Sequence, residues 1–280
     1  MWWTEMAYKR ILTIQDISCV GQCSTTVAMP ILSACGHETC ILPTAILSTH
    51  TGGFSKPVVT NLSAASDLMW RHWQREGIRF DAILTGYLGS IAAVETASEI
   101  AQQLLADDGV LIVDPAMADH GKLYSGFDEA YVAAMEALCH RADILLPNIT
   151  EAAMLTGTAW LEETNEDYVN NVMGLLPNRC VVLTGIGYSP DETGVLVKNE
   201  NRFFHYGHKR IGKSYHGTGD MFAAAFTGAL MQEKSVEDAV KIAADFTCKS
   251  IENTWKNPAH WYGVKFETAL PYLISMLQAE

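Results

Sequence analysis

Four short runs in this 280-residue chain are apolar almost from end to end: AILTG (82–86), VLIVD (110–114), DILLP (143–147) and VVLTG (181–185). A strand with one solvated face alternates apolar and polar side chains, whereas a strand covered on both faces has no side to leave polar. Between and around these runs lie longer segments with helical spacing, over 61–77, 90–106 and 128–140. The first opens at Asn61, a good N-cap, and closes at Gly77. ILTIQ (11–15) and TCILPTAIL (39–47) are further strand candidates, with a helix expected over 22–35 that ends at Gly36. After residue 185 come TGVLVK and RFFHY, separated by the polar turn Asn199-Glu200-Asn201, and then helical stretches over 218–232, 236–252 and 266–278. Strands alternating with helices imply βαβ units and a mostly parallel sheet with helices on both faces; the late strand pair suggests an antiparallel edge. No repeat and no Pro/Gly/Ser linker divides the chain, so it reads as one doubly wound α/β domain over 1–280.

Bulk properties narrow the partners. Apolar residues make up 49% and charged residues 18%, which suits a packed core and argues against disorder. Nineteen basic residues against 32 acidic ones give a formal charge of −13. Such a surface repels nucleic acid and anionic membranes, so any bound phosphate must be neutralised locally. No apolar run reaches spanning length, and the opening MWWTEMAYKR lacks the order of a signal peptide, so the expected location is the cytoplasm. The seven cysteines fit that location: Cys19 and Cys23 are not in CxxC spacing, the others sit in apolar stretches, and neither a zinc site nor a disulfide framework is expected.

In open α/β sheets ligands bind beyond the carboxyl ends of the strands. Asp16, Tyr87, Asp114, Asn148 with Glu151, and Thr184 with Gly185 all follow strand candidates. Each alone is an ordinary turn or capping residue; as a set at one edge they read as a site. The sharpest element is HGTGDMFAAAFTGAL (216–230), where glycines flank Thr218 and an apolar helix begins at once. Unpaired amides at a helix N-terminus attract anions. Asp220 in the first turn would then accept a proton from an attacking hydroxyl while the amides hold a transferred phosphoryl group. Asp114, Asp119 and Glu151 are oxygen ligands suited to Mg²⁺, directly or through water.

Six motifs, in order, resemble the pyridoxal kinase branch of the ribokinase-like superfamily over nearly the whole chain. ILTIQDISCVGQ resembles its opening strand and loop, LSTHTGGF its substrate loop, FDAILTGYLGS its GYLGS segment, VDPAMADHGKLY its DPVMGD stretch, LLPNITEAAMLTG its PN-x-x-E segment, and GTGD its anion loop. The resemblance implies a ribokinase-like three-layer α/β fold and an ATP-dependent kinase acting on the 5′-hydroxymethyl group of pyridoxal, pyridoxine or pyridoxamine. It also implies Mg²⁺, often an activating monovalent cation (K⁺ or Na⁺), and a homodimer. Carried over by position, Asp220 is the base and the amides from Gly217, Thr218 and Gly219 to Asp220 form the anion hole. Asp114, Asp119, Asn148, Glu151, Thr184 and Gly185 fall at nucleotide positions, with Asp114 and Glu151 toward the metal. Thr51 and Gly52 fall in the substrate loop, Tyr87 lines the same pocket, and 205–215 lies over the nucleotide.

One departure stands out: where that branch has Ser after IQ, this chain has Asp16. A carboxylate there could pair with a pyridinium nitrogen or an ammonium group, biasing the site toward cationic vitamers, pyridoxamine in particular; otherwise Asp16 caps a turn. His50 adjoins the substrate loop and is taken as a substrate contact. Trp70 and Trp73, three apart on a helix, are read as packing residues, and Trp2 and Trp3 as a surface for a partner subunit. Two rival readings remain: a hydroxymethylpyrimidine or phosphomethylpyrimidine kinase with the same base, and a non-catalytic B6-binding protein.

Overall fold

The computed structural model describes residues 7–189, 191–212, 215–257 and 259–279; Trp2 and Trp3, and part of 205–215, lie outside the described residues. In chain order the elements begin with β1 (Arg10–Ser18), α1 (Thr25–Ala34), β2 (Glu38–Leu47), β3 (Val59–Asn61), α2 (Ser63–Arg75), β4 (Phe80–Thr85), α3 (Ile91–Leu104) and β5 (Leu105–Val113). They continue with β6 (Ala118–Asp119), β7 (Lys122–Leu123), α4 (Glu129–Cys139), β8 (Ile144–Leu145), α5 (Ile149–Leu155), α6 (Glu166–Leu175) and β9 (Cys180–Thr184). The hairpin β10 (Glu192–Asn199) and β11 (Arg202–Lys209) precedes α7 (Thr218–Met231), α8 (Val236–Trp255), a 3-10 turn at Phe266–Ala269 and α9 (Leu270–Leu277).

Nine strands form one sheet in the order β11-β10-β9-β8-β5-β4-β1-β2-β3. The six from β9 to β2 are parallel, and antiparallel pairs close both edges. Only the β10–β11 edge is foreseen from the sequence. At the other edge Asn61 ends β3, and its Oδ1 accepts the Ser63 N–H from just outside α2. The helices α5 and α6 also lack a forecast.

The apolar runs are covered on both faces. Ala82, Leu84, Ile112, Val182 and Val197 pack with α1, α7, α8 and α9. Their strand neighbours Ile83, Leu111, Val113, Val181 and Leu183 pack with α2, α3, α4 and α6. Helix ends follow local chemistry: Ser90, Asp128, Asn165 and Ser235 each accept a first-turn amide of α3, α4, α6 and α8. Trp70 is buried and Trp73 lies against Phe80, so both are packing residues. The cysteines of the described residues are free thiols.

Candidate active site

The parallel strands deliver their carboxyl ends to one edge, with β9, β8 and β5 on one side and β4, β1 and β2 on the other. Asp16 sits within β1 rather than past it. The β1–β2 register shifts between Gln15 and Ile17, and such an irregularity re-aims the residue it contains. Asp16 is 2% exposed and accepts from the Ser18 hydroxyl at 2.9 Å. Burial raises its pKa, and the hydroxyls of Ser24 and Ser18 and the nearby His50 pull it back.

Opposite stands the first turn of α7. Gly217 is its N-cap at φ 78°, and a Cβ there would run into the Gln22 carbonyl, so both conformation and space require glycine. A Cβ on Gly219 would meet open space, leaving that amide approachable. Asp220 is half-buried, and its Oδ2 accepts the Ser24 N–H at 2.9 Å. Burial lifts its pKa to about 6; the Ser24 amide opposes that rise, and the charge of Asp16 adds to it. Cys23 lies in the field of both acids, and burial chiefly holds its thiol protonated.

The β5–β8–β9 side is a lattice of caps. Asn148 caps α5, its Oδ1 accepting from Thr150 N at 2.8 Å and Glu151 N at 3.0 Å while Nδ2 donates to Ala118 O at 2.8 Å. Glu151, 2% exposed, returns the favour: Oε2 accepts Asn148 N at 2.9 Å and Oε1 accepts Met117 N at 3.1 Å. Thr184 donates its amide to Pro147 O at 3.0 Å, and exposed Gly185 turns away at φ 75°. Asp114 has its pKa pushed well up, first by burial, then by Glu151 and Asp220. Burial also raises Glu151.

The expected three-carboxylate magnesium cluster does not form as such. Among the described residues no three His, Cys, Asp or Glu side chains are grouped to hold a metal ion. Asp119 is exposed and accepts its neighbour's amide, His120 N, at 2.8 Å, while both Glu151 oxygens already receive backbone donors. Nucleotide contacts through the side chains of Asn148 and Glu151 are likewise taken up by capping.

On the β4–β1–β2 side loops meet loops. His50 is buried; its Nδ1 accepts Gly52 N at 3.1 Å, which fixes Nε2 as the donor to Tyr262 O at 2.9 Å. Both ring nitrogens are therefore engaged by backbone, and His50 is not free to hydrogen-bond a substrate. Gln22 reaches His260 Nε2 at 3.0 Å and Glu267 at 2.7 Å, tying segment 19–23 to the same strap. Phe54 lies 4.7 Å from Trp261 between ring centroids, and Gly52 packs on the His216 ring. Thr51 is exposed on this loop. Tyr87, stacked at 5.4 Å on Phe127, has its phenol pKa raised by burial and by Asp16.

Sequence reasoning missed Ser24, Cys23 and Gln22, the strap 259–263, and Tyr124, a phenol raised by burial and by Glu151, Asp119, Asp114 and Asp220. Gln22 and Tyr124 had a trace, as the last residues of ILTIQDISCVGQ and VDPAMADHGKLY, and Cys23 reads only as a free thiol. A hollow of about 630 Å³ beside Asn178, Lys198 and Phe203 lies at the amino end of β9, away from these carboxylates; Lys198 there binds Met173 O and Leu176 O.

The geometry has counterparts among known proteins. The phosphomethylpyrimidine kinase family model matches residues 32–264. A hydroxymethylpyrimidine/phosphomethylpyrimidine kinase of Bacillus subtilis is 30% identical over 64% of this chain, and the match spans just under two thirds of that relative, 66%. The crystal structure of pyridoxal kinase from Lactobacillus plantarum superposes with a TM-score of 0.87 at 32% identity, over 96% of this chain and 97% of that one. A provisionally assigned phosphomethylpyrimidine kinase of Bacteroides thetaiotaomicron, crystallised with pyridoxal, superposes with a TM-score of 0.89 at 30% identity, over 95% of each chain.

Proposed function

The chain belongs to the phosphomethylpyrimidine kinase family, within the ribokinase-like superfamily, and from that premise we propose that it transfers the γ-phosphoryl group of ATP to the 5′-hydroxymethyl group of a B6 vitamer. The observation that carries this reading is Asp220: a half-buried carboxylate in the first turn of α7, with a pKa near 6, beside the Gly217–Asp220 amides. A general base works best when its pKa lies just below the working pH.

In this mechanism Asp220 accepts the proton of the substrate hydroxyl. The freed oxygen forms a bond to the γ-phosphorus as the bond from that phosphorus to the bridging oxygen of ADP breaks. Amides of Gly217, Thr218 and Gly219 hold the phosphoryl oxygens, and Gly219 admits them because no side chain stands in the way. Tyr87 and the loop at Thr51 and Gly52 line the vitamer side, while Asp114, Asp119, Thr184 and Gly185 line the nucleotide side. Asp114, Glu151 and Asp220 share one field that pushes Asp114 upward, and a divalent cation would relieve that repulsion. Asp114 would hold Mg²⁺, with Glu151 acting through water, and the ion when bound neutralises charge on the phosphates. The proposal further includes one kinase domain over 1–280, a cytoplasmic homodimer and monovalent-cation activation.

A hydroxymethylpyrimidine kinase is the second reading, favoured by the family's own description and by the Bacillus subtilis relative. ADP release measured with pyridoxal, pyridoxine, pyridoxamine and hydroxymethylpyrimidine decides between them. Turnover confined to the pyrimidine would overturn the B6 reading, and no turnover of any would leave a binding protein. Sedimentation and a K⁺/Na⁺ titration test the dimer and the cation.

A further inference from the structure

Two loops of the site interlock at a glycine. Gly52 lies outside the left-handed region, so its φ does not call for glycine. The space does: a Cβ there would stand 2.6 Å from His216 Nδ1 and 2.7 Å from His216 Nε2. The Gly52 amide is already used, donating to His50 Nδ1 at 3.1 Å, and the His50 ring lies 5.1 Å from the His216 ring between centroids. His50, Gly52 and His216 therefore form a closed triangle in which the loop rests on the His216 ring. That ring belongs to the anion-hole turn. His216 is followed at once by Gly217, which has no room for a side chain against the Gln22 carbonyl. The Thr218 hydroxyl donates back to Tyr215 O at 3.1 Å, so 215–218 is one closed turn that runs into α7.

We propose that His216 is a positioning residue: Gly52 seats the vitamer loop on its ring, and that seat fixes where the Gly217–Asp220 amides stand relative to the reacting hydroxyl. The inference rests on the kinase reading above for its catalytic meaning, though not for its geometry. The seat uses the shape of the ring, because Gly52 meets it with a bare Cα and spends its N–H on His50. Donors to a transferred phosphoryl group count most in the transition state, so an anion hole displaced by a fraction of an ångström lowers kcat more than it weakens ATP binding.

The test is a cycle of four proteins: wild type, G52A, H216A and G52A/H216A, with H216F as a fifth. His216 is exposed, so the G52A methyl either swings the ring outward or lifts the loop; the seat is lost in both cases. G52A is expected to lower kcat about tenfold and raise the vitamer KM about threefold, with the KM for ATP held within about twofold. H216A should lower kcat about three- to tenfold. Once the ring is gone the methyl has room, so G52A/H216A should turn over no more slowly than H216A. H216F, a flat ring without nitrogens, should keep kcat within about threefold of wild type. If G52A is as harmful in the H216A background as in wild type, or H216F is as slow as H216A, the assignment is overturned. Melting the same proteins needs no substrate: G52A should lower Tm by about 2–4 °C in wild type and leave it unmoved in H216A. If the wild type phosphorylates no vitamer the kinase reading falls, while equal or unequal melting shifts still decide whether Gly52 rests on His216.

Discussion

On the β5–β8–β9 side of the site, the polar side chains that stand out in the sequence hold the local backbone: Asn148 and Glu151 exchange two hydrogen bonds and accept two more from the amides of Thr150 and Met117, Thr184 closes on Pro147, and each Glu151 carboxylate oxygen receives a backbone amide. On the β4–β1–β2 side the corresponding side chains hold loops: His50 joins Gly52 to Tyr262, and Gln22 joins His260 and Glu267. The first side is a frame, and on the proposed reading its residues would bear on a nucleotide mainly through backbone shape and field. The second is a set of segments kept in place by a few tie-points, where substrate choice can change without disturbing the frame. The two meet at Asp220 and Ser24.

Removing the meeting point is expected to have the largest effect. Asp220→Asn keeps an acceptor for the Ser24 amide and should fold, but kcat should drop about 10²–10⁴-fold, the scale for a positioned base. Near-normal turnover would move the base elsewhere and dissolve the division drawn here. Within the frame, Glu151→Gln turns one acceptor into a donor facing a backbone N–H, whether that of Asn148 or Met117, and a buried donor left unpaired costs about 1–3 kcal/mol. Thermal unfolding should show that loss, with kcat changed far less than by Asp220→Asn; a variant as stable as wild type would mean that the caps do not make the frame. Within the loop side, His50→Ala removes two hydrogen bonds of about 1 kcal/mol each. The vitamer KM should rise while the KM for ATP stays put, and equal changes in both would show that the halves are not separable.

How legible this was in the sequence follows the same division. Wholly apolar runs announce parallel strands, and strand ends announce the edge, so Asp114, Asn148 and Thr184 lie at strand ends and Asp220 in the first turn of α7. What escaped is whatever depends on long-range contact. Glu151 looks like a direct metal ligand until Met117, 34 residues upstream, is seen donating to it. His50 looks like a substrate contact until the Tyr262 carbonyl, 212 residues away, is seen accepting its Nε2–H. Ser24 gave no hint at all, because nothing in VGQCSTT tells that this serine, at φ 54°, occupies a glycine conformation. β3 was hidden for a plainer reason: three exposed residues at a sheet edge carry no apolar pattern.

The smallest expected effect is a pH trend in which function and stability run against each other. Asp220 must be ionised to accept a proton, so kcat/KM should fall about tenfold per unit as pH drops below about 6. Stability should do the reverse. An acid whose folded pKa is raised binds its proton more tightly when folded, so its contribution is full below the unfolded pKa of 3.8 and is lost as pH rises through about 6. The shift of roughly two units corresponds to at most about 3 kcal/mol. Asp16, Asp114 and Glu151, all raised chiefly by burial, act in the same sense. The ligand-free protein should therefore melt lower at pH 8 than at pH 5.5, and Asp220→Asn, lacking the charge, should melt above wild type at pH 8. A catalytic group held at a cost in stability predicts that inversion; a mutant no more stable than wild type at pH 8 would mean that Asp220 is an ordinary helix-cap carboxylate, content in its charged form.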